Sequence, residues 1–282
     1  MLVLGAVAYA PKVVTIWEGF KDYFVRHGLP FDYVLFSNYE AQVEALLDGQ
    51  CDIAWNSPLA WVRAERLAQA RGTSVRALAM RDTDCDLTSV IVVRADAPIE
   101  RIADLNGKLV AVGAIDSPQA TLIPLDYLRR QGLTPGVDFE VQRHDLLGGK
   151  HGDHIGGELE ATRALLAGAA DAACLIKGNY TAWLGDQTIP SGATRVLAET
   201  PAYDHCNFTV GPTAPAVLVE RFSTLLLGMS YDDPDVRPLM ELEGLTEWRA
   251  GRVEQYQPLE AAVDATGFYD RDGEIREASY QY

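Results

Sequence analysis

The 282 residues are 48% apolar and carry a formal net charge of −16. That balance describes a globular chain with ample material for a core, and it excludes nucleic acid as a partner, because phosphate neutralisation needs clustered Lys and Arg. No apolar run has the roughly 20 residues of a membrane helix, which excludes membrane insertion.

The chain opens with an apolar run, Leu2–Val7, read as a buried strand. Residues 1–10 lack the basic start and the length of a secretory signal. As it stands the chain therefore reads as cytoplasmic; a leader removed from its front would make it periplasmic or extracellular. Val14–Arg26 has helical spacing and stops at His27-Gly28-Leu29-Pro30. Phe31–Phe36 predicts a strand, Tyr39–Asp48 a helix, Cys51–Trp55 a strand and Leu59–Gln69 a helix, the rhythm of a parallel βαβ sheet. Val75–Arg81 and Thr88–Arg94 follow as strands around the polar loop Asp82–Asp86.

The rhythm then restarts. Leu109–Val112 is a strand leading through Gly113–Thr121 into a helix to Gln131. A strand near Phe139–Arg143, a polar loop, a helix Glu158–Ala167 and a strand Ala172–Ile176 complete the second run. Glu44–Ala54 and Arg163–Ala173 echo each other at matching places, which predicts two similar lobes. Arg195–Ala198 and Phe208–Val210 read as returning strands, Pro215–Leu227 as a helix, and the charged tail from Arg271 as frayed. The four cysteines form no CxxC and suggest no disulfide framework; Cys51 and Cys174 lie among apolar residues as buried thiols.

Three segments then carry a resemblance. Ala41–Val62 (AQVEALLDGQCDIAWNSPLAWV), Ser89–Arg94 (SVIVVR) with Ile102–Lys108 (IADLNGK), and Gly113–Tyr127 are similar to the phosphate/phosphonate-binding proteins of ABC transporters. The resemblance runs in order to Phe268, more loosely after Arg143. It departs where the family has an aromatic before the SVIVV strand, here Asp86-Leu87-Thr88, and a Ser/Thr-Ser-Gly run, here Ser117-Pro118-Gln119-Ala120-Thr121. It implies an α/β, two-lobed periplasmic-binding-protein-like (venus-flytrap) fold with a ligand cleft between the lobes. Residues 1–85 plus 205–282 would form lobe 1, and 86–204 lobe 2.

Several residues are candidates for the site. Asn56 and Ser57, and Ser117, Gln119 and Thr121, stand after predicted strands and at helix starts, where parallel sheets take ligands. Their hydroxyl and N–H groups suit phosphonate, phosphate or carboxylate oxygens; plain N-capping is the alternative. The glycine-rich stretch 148–158 holds Lys150, His151, Asp153, His154 and Glu158. Its imidazoles and carboxylates suit direct ligand contact, a divalent metal, or nothing beyond a solvated loop. No cofactor is firmly indicated. Asp204 and His205 reach a ligand or hold a turn; a strand there would send His205 and Cys206 to opposite faces. Lys177 ends a strand, as Tyr9 and Lys12 follow one, and Tyr39 is a candidate to close over the ligand. Trp55, Trp61 and Trp183 read as core.

The reading that follows is a solute-binding protein closing on a small polar, anionic ligand that is phosphonate-, phosphate- or carboxylate-like. Its partners would be that small molecule and, if the protein is exported, an ABC permease. The alternative is a cytoplasmic enzyme on the same fold, with His154 and His205 catalytic in lyase- or decarboxylase-type chemistry and with or without a metal.

Overall fold

Alternating apolar runs and amphipathic segments set the element order, seen here in a computed structural model that describes residues 1–153 and 156–282. In chain order the elements are β1 (Leu2–Val7), α1 (Lys12–Arg26), β2 (Phe31–Phe36), α2 (Tyr39–Leu47), β3 (Ile53–Asn56), α3 (Pro58–Ala70), β4 (Arg76–Arg81) and β5 (Ser89–Arg94). Next come β6 (Leu109–Val112), a π-turn over Pro118–Leu122, α4 (Ile123–Arg130), β7 (Glu140–Arg143), α5 (Gly156–Leu166), β8 (Ala172–Ile176), α6 (Lys177–Gly185) and β9 (Thr194–Glu199). The chain ends with β10 (Asn207–Val210), α7 (Ala216–Leu227), α8 (Arg237–Glu243), β11 (Trp248–Ala250) and α9 (Gln257–Thr266). The sequence reading anticipated neither α8, β11 nor α9.

Two compact units result. Unit 1 comprises Met1–Cys85, Asp204–Tyr256 and Tyr269–Arg276; unit 2 comprises Asp86–Tyr203, Gln257–Phe268 and Glu277–Tyr282. The sequence reading gave everything beyond 204 to one lobe, whereas 257–268 and 277–282 pack with unit 2. The reason is apolar: α9 buries Leu259, Ala262 and Val263, and Tyr280 packs its ring 4.9 Å from that of Phe268.

Unit 1 holds a mixed sheet in the order β11-β4-β10-β3-β1-β2. β1 runs parallel to β2, from Leu2 opposite Phe31 to Val7 opposite Phe36, and parallel to β3. β10 returns antiparallel between β3 and β4. One face of α1 buries Val13, Ile16, Trp17, Phe20, Tyr23 and Phe24, each large apolar side chain contributing about 1.5–3 kcal/mol. Gly28, at φ +78°, supplies the left-handed turn that ends the helix. Trp55, Phe208, Phe222 and Trp248 complete this aromatic core.

Unit 2 holds a five-stranded sheet, β7-β6-β8-β5-β9. β5 alternates cleanly: Val90 and Val92 pack on one face with Ala173 and Leu175, and Ile91 and Val93 on the other with Val110, Val112 and Cys174. A sheet buried on both faces explains why SVIVV and AACLI read as continuous apolar runs.

The tail is ordered, contrary to its charged composition. Gly273 adopts φ +83° and leaves no room for a side chain, since a Cβ there would lie 2.7 Å from Leu67 Cγ. Its carbonyl accepts a hydrogen bond from the buried Arg63.

Candidate functional site

In α/β sheets, ligands gather beyond the carboxyl ends of parallel strands. In unit 1 those ends are the loops after β1, β2 and β3. Tyr9 is half-buried, with the Lys12 ammonium 5.8 Å from its ring centre. Asn38 caps α2 by accepting the Ala41 N–H, 2.7 Å away. Tyr39, expected at the ligand, lies instead in a small core with Val7, Val43 and Ala60 and is 1% exposed.

Asn56 is also internal. β3 extends one residue further than the sequence suggested, so Asn56 enters the sheet opposite Asn207. It accepts from Gln42 Nε2 (2.7 Å) and donates to Thr209 Oγ1 (2.9 Å). Thr209 donates to Asn207 Oδ1, Asn207 donates to the Tyr256 hydroxyl, and Tyr256 donates to the His205 carbonyl. This buried chain of side chains stitches β3 to β10, and Asn56 is one of its links rather than a surface contact. Ser57 is fully buried and caps α3 through the Ala60 N–H, 3.1 Å away.

Asp204 and His205 likewise serve the frame. Arg252 forks onto the buried Asp204 carboxylate with two bonds of 2.7 Å. His205 Nδ1 lies 3.1 Å from Cys206 Sγ and 3.4 Å from Asp84 Oδ1. The two neighbouring side chains converge because residues 204–206 precede β10 and follow no strand alternation. Burial works to raise the Asp84 pKa, but the Arg81 charge and hydrogen bonds from His205 and Arg81 outweigh it and bring it to about 2.

In unit 2 three loops meet at the ends of β6, β7 and β8, and glycines let them close. A Cβ on Gly157 would lie 2.8 Å from the His144 carbonyl oxygen, and one on Gly152 would lie 2.5 Å from Ser117 Oγ. Ser117 is buried and caps the π-turn through the Ala120 N–H, 3.2 Å away. Gln119 Nε2 donates to the Gly152 carbonyl at 2.8 Å. Asp116 Oδ2 accepts the N–H groups of Gly149 and His151 at 2.7 and 3.1 Å. His151 is buried at φ +52°. The glycine loop is thus laid directly over the helix start that the sequence marked as an anion site. Burial lowers the Lys150 pKa, opposed by Asp153.

Thr121 is 3% exposed, and its hydroxyl has no hydrogen-bond partner among the described residues. Sequence reasoning missed Glu158 as an anchor: its Oε2 accepts from the Ile176 N–H and from Asn179 Nδ2, tying α5 to the β8–α6 junction. His154 lies outside the described residues. Lys177 is exposed and already engaged, donating to both oxygens of Glu199 at 2.8 and 2.9 Å, with Thr88 on the same carboxylate. These hydrogen bonds hold Glu199 below its ordinary pKa. Asp86, Leu87, Thr88, Lys177, Thr181 and Glu199 line an open recess of about 610 Å³. Cys51 and Cys174 are buried, and burial pushes each thiol up to about 12.

The architecture has solved counterparts. PhnD1 of Prochlorococcus marinus, in complex with methylphosphonate, superposes with a TM-score of 0.70 at 17% identity, over 95% of this chain and 98% of that one. XAC2383 of Xanthomonas citri, bound to ATP, gives 0.71 at 17% identity, over 94% and 98%. The periplasmic aliphatic sulphonate binding protein SsuA of Escherichia coli gives 0.52 at 18% identity, over 93% and 82%. At such identities the likeness shows the shared two-lobed α/β fold. A family profile described as ABC transporter, phosphonate, periplasmic substrate-binding protein matches residues 6–256. Membership implies a small-molecule ligand and a permease partner, and it supports the solute-binding reading of the sequence over the enzymatic one. Among the described residues no helix is long and apolar enough to cross a membrane. The chain belongs to the family of phosphonate-type periplasmic substrate-binding proteins of ABC transporters.

Proposed function

We propose that this protein binds a small solute bearing a phosphonate-, phosphate- or carboxylate-like group at the Asp116–Leu122 turn of unit 2, and delivers it to an ABC permease from the periplasmic side. The observation that carries this reading is the Thr121 hydroxyl, buried and without a partner among the described residues. A buried polar group left unsatisfied costs about 1–3 kcal/mol, and a bound oxyanion would remove that cost. The turn runs on into α4 and adds a positive dipole end beside it. Ser117, Gln119, Thr121, His151 and Lys177 would contact the solute in unit 2. Tyr39, Asn56, Ser57, Asp204 and His205 would act at one remove, holding the frame. The glycine loop 148–153 must lift for a solute to reach Ser117, and its glycines make that movement inexpensive.

A thermal-shift titration with methylphosphonate, inorganic phosphate, sulfonates and small carboxylates tests this. The preferred anion should stabilise the protein by about 2.7 kcal/mol at a hundredfold excess over Kd. Ser117→Ala should weaken that binding by about 1–3 kcal/mol. If no anion shifts the unfolding transition, the reading is wrong.

A further inference from the structure

The solute site uses none of the buried side chains that converge just before β10. We propose that Asp84, His205 and Cys206 form a binding site for one divalent ion of the zinc class in unit 1. All three residues are buried, and one donor atom from each lies within 4.8 Å of the other two.

The spacing fits a tetrahedral ion. With zinc–ligand bonds of about 2.0–2.3 Å, neighbouring donors stand roughly 3.3–3.7 Å apart. His205 Nδ1 is 3.4 Å from Asp84 Oδ1 and 3.1 Å from Cys206 Sγ. Both of these pairs are within a few tenths of an ångström of that spacing, and the third, Asp84 with Cys206, lies within 4.8 Å. The backbone is already braced for it, since the His205 N–H donates to the Asp84 carbonyl at 2.9 Å.

The surroundings resemble the outer layer of a metal site, in which ligating carboxylates are themselves hydrogen-bonded. Arg81 forks onto Asp84 and also donates to the Glu243 carbonyl. A carboxylate has about four lone-pair positions, so the Arg81 fork leaves one on Oδ1 for the ion. Charge balances as well. The carboxylates of Asp84 and Glu243 and a Cys206 thiolate offset the Arg81 guanidinium and a doubly charged ion. As the ion binds, the Cys206 thiol gives up its proton to solvent and the freed sulfur electron pair forms the metal–sulfur bond, while the His205 ring proton moves from Nδ1 to Nε2 and leaves the Nδ1 lone pair for the metal. A thiolate with an imidazole selects zinc over magnesium or calcium, and three protein donors leave one tetrahedral position for water or a small anion.

The consequence is mechanical. Asp84 lies just before the chain leaves unit 1 after Cys85, and His205 and Cys206 lie just after it returns at Asp204. A bound ion would clip those two segments together.

The test uses the untagged chain, stripped with a chelator, loaded with zinc and freed of excess. We expect one zinc per chain by elemental mass spectrometry, and a rise in Tm with zinc but not with magnesium. Cobalt in place of zinc should give a thiolate-to-metal charge-transfer band. Cys206→Ser should abolish that band, and both Cys206→Ser and His205→Gln should abolish stoichiometric binding; if one variant fails to fold, the other carries the test. Folded wild-type protein that takes up no stoichiometric zinc at micromolar concentrations overturns the proposal, as does zinc held equally by wild type and the folded variants.

Discussion

The end of β3 in unit 1 and the end of β6 in unit 2 share one local grammar and differ in outcome. Each leads into Ser-Pro, at Ser57-Pro58 and Ser117-Pro118, and each serine caps the N–H three residues on, at 3.1 and 3.2 Å. In unit 1 the residue before the cap, Asn56, is held on both sides by Gln42 and Thr209. In unit 2 the residue before the cap, Asp116, holds the glycine loop, and the hydroxyl of Thr121, four residues after Ser117, has no partner among the described residues. Capping is satisfied within one helical turn and so repeats wherever the motif does. What becomes of the polar groups beside a cap depends on elements far along the chain.

Substitutions at the two ends should separate these roles. Asn56→Ala should have the largest effect, destabilising the protein by about 2–4 kcal/mol, because it leaves buried groups of Gln42 and Thr209 short of partners. Urea unfolding measures this; unchanged stability with weakened solute binding would return Asn56 to the ligand.

Acid comes next. The folded pKa of Asp84 is about 2 against an ordinary 3.8. The native state therefore binds this proton more weakly than the unfolded chain does. The stabilisation is fully present above the unfolded value and disappears as pH falls through the folded one. The loss should total about 2 kcal/mol between roughly pH 4 and 2. Unfolding curves across that range should show the slope in the wild type and a flatter one in Asp84→Asn; matching slopes would mean that other carboxylates carry it.

The smallest effect belongs to Thr121→Val. Replacing an unpartnered buried hydroxyl by a methyl group should leave the solute-free protein unchanged or stabilise it by about 1 kcal/mol. The same change should weaken solute binding. Marked destabilisation without solute would show that the hydroxyl is satisfied after all, and the contrast between the two strand ends would lose its basis.

Much of the fold was legible in the sequence, because hydrophobic period and turn residues act over a few positions. β1, β2, β5, β6 and β8 match their apolar runs to within a residue, and α1 follows its stripe of Ile16, Trp17, Phe20 and Phe24. The late elements α8, β11 and α9 were not legible. α8 has only Met240 and Glu243 buried, β11 is three residues long, and α9 adds a short apolar face to a unit whose other strands and helices end some sixty residues earlier. The tail looked frayed by composition and is anchored by one glycine against Leu67 and by Tyr280 against Phe268.

Local pattern sets where strands end and helices begin, and hence that Ser57, Ser117, Lys177 and Tyr9 stand at strand ends. Which polar side chains meet a protein partner was settled by the fold. It folded Tyr39 into a core, drew Asn56 into the β3–β10 network, engaged Asp204 with Arg252, and turned His205 and Cys206 toward each other beside Asp84. The cause is range. Capping and periodicity are settled among neighbours in sequence, whereas a buried polar group is satisfied by whatever the fold brings within about 3 Å, as with Asn56 and Thr209, 153 positions apart.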